Sequence, residues 1–424
     1  MTDLDRRIAP PVRPFGRMAL PPERVIECGR GTRLHVMADS SCRLVRLCAV
    51  GRGGKVEAQS HASAIMTAEI LAEGSVSFDA DTTAEIIDFN GSSIVGRCSD
   101  HFTRLDITAM AGAMPELLPV FSALLREPSF TVKRMESVRA MLMSQCACEL
   151  KRVSTIATQA CFGLIAGRSH ATARKPVPED FERVGEQEIM ASIGRIFAAP
   201  NVDVFLSGGV TPELESAVMA MADSLNDGVR TVPDIRPYVA ESPQLKHIEC
   251  PGAEQSAVVC MLPVIGRSHP DYLPLRIAVT ALGGFFGSRL MRNIREDKGL
   301  TYGISACLNG THEGGYVEIS AQCAPGYTER LLDELKGELR RMATVPLDRD
   351  ELLRMRLYEQ TRIASMMDNA IASGDQYITQ LIVGLPDGYF KNQERITAQI
   401  TSEEIAEVAE RYLRPENLRV VIAG

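Results

Sequence analysis

Two stretches of this chain close in the same way, and that echo constrains its fold more than any other feature. Residues 200–208 read PNVDVFLSG and residues 415–424 read PENLRVVIAG. In each, an asparagine opens an apolar run that ends on a glycine seven residues later. Asn201 and Asn417, like Gly208 and Gly424, lie 216 residues apart. A segment with helical patterning and a late aromatic residue precedes each one (IGRIFAAP and AERYLRP). Half of the 424 residues is 212, so the echo falls at the end of each half, as an internal duplication requires.

The patterning between the echoes agrees. A proline-rich lead-in (Pro10, Pro11, Pro14, Pro21, Pro22) is followed over residues 25–51 by period-two alternation that predicts two or three strands. Helices are expected over 62–71, stopped by Gly74, and over 82–90, with Thr82 and Glu85 as a capping box and Gly91 as the stop. Strands are expected over 93–97 and 103–109, helix over 114–125, and one long helical region over 132–165. The half ends in helix over 186–197 and strand over 202–207. Residues 226–242, polar and holding two prolines, read as a linker. The expectation is an α+β chain of two homologous domains, 1–225 and 244–424, joined by a linker over 226–243. Each domain is an antiparallel-rich sheet packed with helices.

Composition excludes several classes of function. With 45% hydrophobic and 24% charged residues, the chain has the make-up of a globular protein rather than a disordered one. A net charge of -8 disfavours binding to nucleic acid. The 11 cysteines include no CxxC pair, and Cys146 and Cys148 are too close for a zinc knuckle, so reduced thiols and a cytoplasmic location are expected. The N-terminus is charged where a secretory leader has its apolar core, and no apolar run approaches the ~20 residues of a membrane helix.

The stretch that carries chemistry is residues 280–306, TALGGFFGSRLMRNIREDKGLTYGISA. Its Gly-Gly break, Ser-Arg-Leu, Ile-Arg-Glu and Gly-Leu-Thr-Tyr resemble the second homologous domain of the pitrilysin-like metallopeptidases, which include the mitochondrial processing peptidase. The flanking HPDYLPLRIAVTALGG, the hairpin GTHEGGYVEISA and the closing TSEEIAEVAERYLRPENLRVVIAG extend the resemblance over essentially the whole chain. It implies that Arg295 and Tyr302, seven residues apart, contact the substrate. A tyrosine hydroxyl can donate to the oxyanion of a scissile carbonyl, and a guanidinium has five donors for backbone carbonyls. The plainer alternative is a surface arginine paired with Glu296 or Asp297 and a half-buried strand tyrosine.

The same family places an inverted zinc motif, His-x-x-Glu-His, in its first domain and a further glutamate on a long helix. The frame of that motif persists in SHASAIMTAEILAEGS, but its positions hold Ile65, Ala68 and Glu69, and the distal position falls at Gln145. The seven histidines (His35, His61, His101, His170, His247, His269, His312) never come within twenty residues of one another, so no helical zinc motif can form. No metal is expected in this chain. Three weaker signals point elsewhere. The run AVGRGGKVEA over 49–58 lacks phosphate-loop spacing, Ser288 is not in a nucleophile elbow, and Cys146 and Cys148 read as packing thiols.

The resemblance thus implies a non-zinc subunit, inactive alone, that supplies Arg295 and Tyr302 to a zinc-bearing homologous partner and binds peptide or unfolded polypeptide. The alternatives are a catalytically inert scaffold and a homodimeric peptide-binding protein of the same fold. Neither nucleic acid nor membrane is expected as a partner.

Overall fold

A computed structural model describes residues 22–424. Of the lead-in prolines only Pro22 is among them; Pro10, Pro11, Pro14 and Pro21 lie outside the described residues. The first sheet is built from β1 (Arg24–Glu27), β2 (Arg33–Ala38), β3 (Leu44–Arg52), β4 (Ser93–Cys98), β5 (Phe102–Met110) and β6 (Val202–Gly208). Its spatial order is β1-β2-β6-β3-β5-β4. The second sheet uses β7 (Leu245–Ile248), β8 (Ser256–Val264), β9 (Ile304–Gly310), β10 (Gly315–Cys323) and β11 (Arg419–Ala423), in the order β7-β11-β8-β10-β9. β6 runs parallel to β2 and antiparallel to β3, just as β11 runs parallel to β7 and antiparallel to β8. The two echoing segments therefore occupy the same station in two sheets of the same order, with β1 as the one addition. The fold is α+β, with two antiparallel-rich mixed sheets packed with helices.

The helices of the first half are α1 (His61–Ile70), α2 (Ala80–Phe89), α3 (Met114–Arg126), α4 (Val132–Glu149), α5 (Val153–Ala166), α6 (Pro178–Glu182), α7 (Glu186–Ile196) and α8 (Pro212–Asp223). Those of the second are α9 (Tyr272–Val279), α10 (Thr328–Thr344), α11 (Arg349–Met366), α12 (Ala370–Val383), α13 (Tyr389–Gln399) and α14 (Ser402–Tyr412). Both faces of each sheet are covered, because successive side chains point to opposite faces. On the first sheet Leu34, Val36, Leu47 and Leu206 join Met66, Phe121 and Ile193 in the larger core. From the other face Met37, Cys48, Val50 and Phe205 meet Ile378 and Tyr377 of α12. On the second sheet Val258, Cys260, Val420 and Ile422 face the α9, α10 and α14 side. Ala257, Val259, Met261 and Val421 face Ala157, Cys161, Leu164 and Ile165 of α5.

The halves thus exchange helices. α5, from the first half, covers the second sheet; α12, from the second, covers the first. Arg46 on β3 joins Asp375 on α12 (2.8 Å) and Asp106 on β5 (2.8 Å), fixing α12 to its host sheet.

Two local expectations need correction. The helical region over 132–165 is two helices, α4 and α5, broken at residues 150–152. No glycine or proline marks the break; it lies where the chain leaves the first sheet to cover the second. The cap of α2 is Asp79, whose carboxylate accepts from Thr82 N at 2.8 Å, so Thr82 and Glu85 lie inside the helix. Aspartate, three residues earlier, is a stronger cap than threonine. The segment 226–242 is free of helix and strand and is tied down at Tyr238 N–Glu313 O (3.3 Å) and Glu241 N–Leu164 O (2.7 Å).

Gly96 on β4 lets α1 lie directly on the sheet. A Cβ there would come within 1.8 Å of the Ala68 carbonyl oxygen, a backbone atom that cannot move alone. Gly96→Val is expected to push α1 off β4 and cost about 1–3 kcal/mol, the usual range for overpacking. Urea unfolding midpoints measure this; an unchanged midpoint would refute the close contact.

Candidate functional site

The sequence Gly299-Leu300-Thr301-Tyr302 displays its last residue because the first three are each occupied. Gly299 takes φ +61°, a left-handed conformation that glycine adopts without strain, and so ends the preceding turn. Leu300 is buried in the second core. Thr301 donates to Gln322 O on β10 at 2.6 Å and accepts from Gly303 N at 3.1 Å, pinning the loop to the sheet. Tyr302, one residue further on, is left 90% exposed at the mouth of edge strand β9.

Arg295 reaches the same place from a π-helical turn over Met291–Asp297, a wide helix geometry that recurs at functional sites. Its guanidinium carbon lies 5.4 Å from the Tyr302 ring centre and 4.6 Å from that of Phe286, so it rests between two aromatic rings. Phe286 is itself 62% exposed. Among the described residues Arg295 has no ion pair, neither with Glu296 nor with Asp297, and neither its guanidinium nor the Tyr302 hydroxyl has a hydrogen bond. Cation–π contact fixes the guanidinium plane while leaving its N–H donors free. Phe286 was not singled out from sequence. The signal was the doubled phenylalanine after Gly-Gly: Phe285 turns inward and stacks on Tyr358 at 5.1 Å, which leaves its neighbour facing out.

The neighbouring motif residues build the support. Arg289 of Ser-Arg-Leu is 4% exposed and grips the α10–α11 connection. It binds Glu351 at 2.9 Å and the carbonyls of Val345 and Pro346 at 2.9 and 3.2 Å. Gly283 sits where a Cβ would come within 2.8 Å of Ala306 N on β9. Ser288 is buried, which removes it as a nucleophile. Tyr302 borders a cleft of about 520 Å³ between the sheet and the start of α5, lined with hydroxyl and amide groups from Ser154, Thr158, Gln255, Ser305, Ser320 and Gln322. Such a lining suits a peptide backbone, which offers donors and acceptors but no charge.

The degenerate zinc-motif positions lie on α1 and α4 and do not fit zinc. Ala68 is buried with its carbonyl against Gly96, and Ile65 packs against the main core. Glu69 is the one carboxylate of the set, held above its ordinary pKa by burial and by Glu73. Gln145, exposed on α4, offers an amide. One carboxylate and an amide do not make the nitrogen-rich donor set that zinc takes. Among the described residues no group of three or more histidine, cysteine or acidic side chains is placed to hold a metal ion.

A family model described as the peptidase M16 inactive domain matches residues 184–357, a span that includes Arg289, Arg295 and Tyr302. Over that span the chain is similar to this family's domain. An uncharacterized zinc protease of Streptomyces coelicolor is 31% identical over 99 residues, which is 23% of this chain and 22% of that protein. The match thus spans about a fifth of that relative's length. The crystal structure of a peptidase M16 inactive domain from Pseudomonas fluorescens superposes with a TM-score of 0.86 at 18% identity, covering 95% of this chain and 98% of that one. A protease from Helicobacter pylori gives 0.85 at 14% identity, over 96% of this chain and all of that chain. At such identities the structural matches establish the shared fold. No helix among the described residues is long and apolar enough to cross a membrane.

Proposed function

We propose that this chain is the non-zinc subunit of a heterodimeric zinc peptidase. In this reading 1–225 and 244–424 are its two homologous domains, and the second presents Arg295 and Tyr302 to a zinc-bearing homologous subunit. The observation that carries it is the half-buried guanidinium held against Phe286 and Tyr302, with every donor free, beside a cleft lined by both polar and apolar side chains. A scaffold has no use for an unpaired cation and an exposed phenol held in register.

The roles follow from the chemistry. A peptide would lie extended along a sheet edge, where its backbone can pair with a strand. The Arg295 N–H groups donate to its backbone carbonyls and hold the scissile bond in place. The Tyr302 hydroxyl donates to the carbonyl oxygen as negative charge develops on it. Polarisation of the carbonyl and activation of water would be supplied by zinc held in the partner subunit. The acidic surface and free thiols support a cytoplasmic setting.

Mixing the purified chain with a homologous protein that carries His-x-x-Glu-His tests this reading. Zinc-dependent peptide hydrolysis is expected in the mixture and absent from the chain alone. Robust hydrolysis by the isolated chain sinks the proposal. So does a stable homodimer that binds peptide and ignores the partner, or a complex that assembles without hydrolysis.

A further inference from the structure

The loop from β3 to α1 carries Lys55, within the run AVGRGGKVEA whose spacing does not match a phosphate loop. Its placement gives it a different setting. Lys55, Arg174 and Lys175 border a cavity of about 200 Å³ at the N-terminus of α1, and His61, the first residue of that helix, forms part of its wall. His61 is only 8% exposed, and neither ring nitrogen makes a hydrogen bond of normal geometry among the described residues, the Ala171 backbone giving it only a weaker attraction. A buried donor or acceptor left unmade costs about 1–3 kcal/mol, so a doubly orphaned imidazole against a cavity needs an occupant to explain it.

The charges say what kind. Among the described residues Lys55, Arg174 and Lys175 have no ion pair; Arg174 reaches only the Ser169 carbonyl at 3.4 Å, and Lys175 lies 5.7 Å from the Phe162 ring centre. Two carboxylates face the cluster. Asp180 is engaged by Val177 N at 2.9 Å and by Arg183 at 3.4 Å. Asp100 attracts Lys175 without pairing with it. The imbalance shows in the titration. Burial, then the charges of Lys175 and Lys55, push His61 down to about 4; burial and Lys55 lower Lys175. The helix end adds its own partial positive charge and free first-turn N–H groups, of which Ser60 satisfies that of Ser63.

We propose that this cavity binds a small oxyanion, held by Lys55, Arg174 and Lys175 at the rim and by the first turn of α1 and His61 within. Two sources share that chemistry: a phosphate group, and the C-terminal carboxylate of a peptide. The site is distinct from the Arg295–Tyr302 loop, so it stands whether or not the chain takes part in peptide hydrolysis.

The test uses the full chain with 15N-labelled histidine, the His61 ring signals being assigned with His61→Gln. Inorganic phosphate is titrated first, then a tripeptide with a free C-terminus and the same tripeptide amidated. Phosphate, the free-acid peptide, or both are expected to shift the His61 ring nitrogens saturably. Lys55→Ala combined with Lys175→Ala should weaken that binding at least tenfold while leaving the unfolding midpoint in place, since both side chains lie at the cavity rim. A response to phosphate alone assigns the source as phosphate; a response to the free acid alone assigns it as a peptide terminus. Absence of any response, an equal response to the amidated peptide, or unchanged binding in the double variant overturns the proposal.

Discussion

His101→Ala is expected to destabilise the chain by about 3–5 kcal/mol, the usual cost of removing one member of a buried charged set. His101 is 3% exposed and lies between two carboxylates from different halves of the molecule. Its Nδ1 meets Glu57 of the β3–α1 loop at 2.6 Å, and its Nε2 meets Glu313 of the β9–β10 turn. Burial opposes the positive charge, but the hydrogen bonds and charges of Glu313 and Glu57 prevail and push His101 up to about 10. Both glutamates are held below their ordinary value of 4.5: burial works against this, and the bond to His101 outweighs it. Alanine would leave two buried carboxylates facing each other without a cation.

The pH dependence has a definite sign. A histidine whose pKa is raised on folding contributes fully below its unfolded value of 6.5, and that contribution is lost as pH climbs toward 10. Glutamates whose pKa is lowered contribute fully above 4.5, and their share is lost as pH falls through their folded values. The difference in unfolding free energy between the natural chain and His101→Ala should therefore be greatest between about pH 4.5 and 6.5 and shrink steadily toward pH 10. Urea titrations at pH 5.5, 8 and 10 measure it. A gap that does not change with pH would mean that His101 serves only to fill space.

That clasp also marks where sequence reading stops. The α+β class, the strands of the first half and the loop bearing Arg295 and Tyr302 were legible, because each depends on patterning or on a contiguous motif. Period-two alternation placed the strands over residues 25–51, and the Asn–Gly echo falls on β6 and β11, which hold the same station in their sheets. The echo misleads in one detail. Asn201 is fully buried and bonds the Arg52 and Ile196 carbonyls at 2.6 and 3.0 Å, whereas Asn417 is exposed. The exchange of α5 and α12 was not legible, since an apolar helix face carries no record of which sheet it covers. His101 and Glu313 are separated by 212 residues and share no local pattern. Phe286 and the His61 cavity were missed for the same reason: each acquires meaning only from neighbours that the fold brings in.

In the reconstituted complex Tyr302→Phe is expected to lower kcat by about 10²–10³-fold, the range seen when one oxyanion donor is removed. The substitution deletes one hydroxyl from a side chain that is 90% exposed, so assembly and unfolding midpoint should stay where they are. Arg295→Ala should reduce kcat/KM by a similar factor, with much of the loss in KM, because its donors hold the backbone both before and during reaction. Arg295→Lys keeps the charge and loses the planar fork, and should recover only part of the loss. Phe286→Ala separates positioning from contact. It removes the ring 4.6 Å from the guanidinium but touches no substrate in this reading, so it should raise KM and leave kcat nearly unchanged. Steady-state kinetics on the four variants, each checked for intact assembly, decides the matter. If turnover is untouched in Tyr302→Phe and Arg295→Ala, the pair is a surface ornament of an inert scaffold. If kcat falls with Tyr302→Phe while KM rises with Phe286→Ala, the loop acts as one unit, with the rings orienting the guanidinium and the hydroxyl meeting the developing charge.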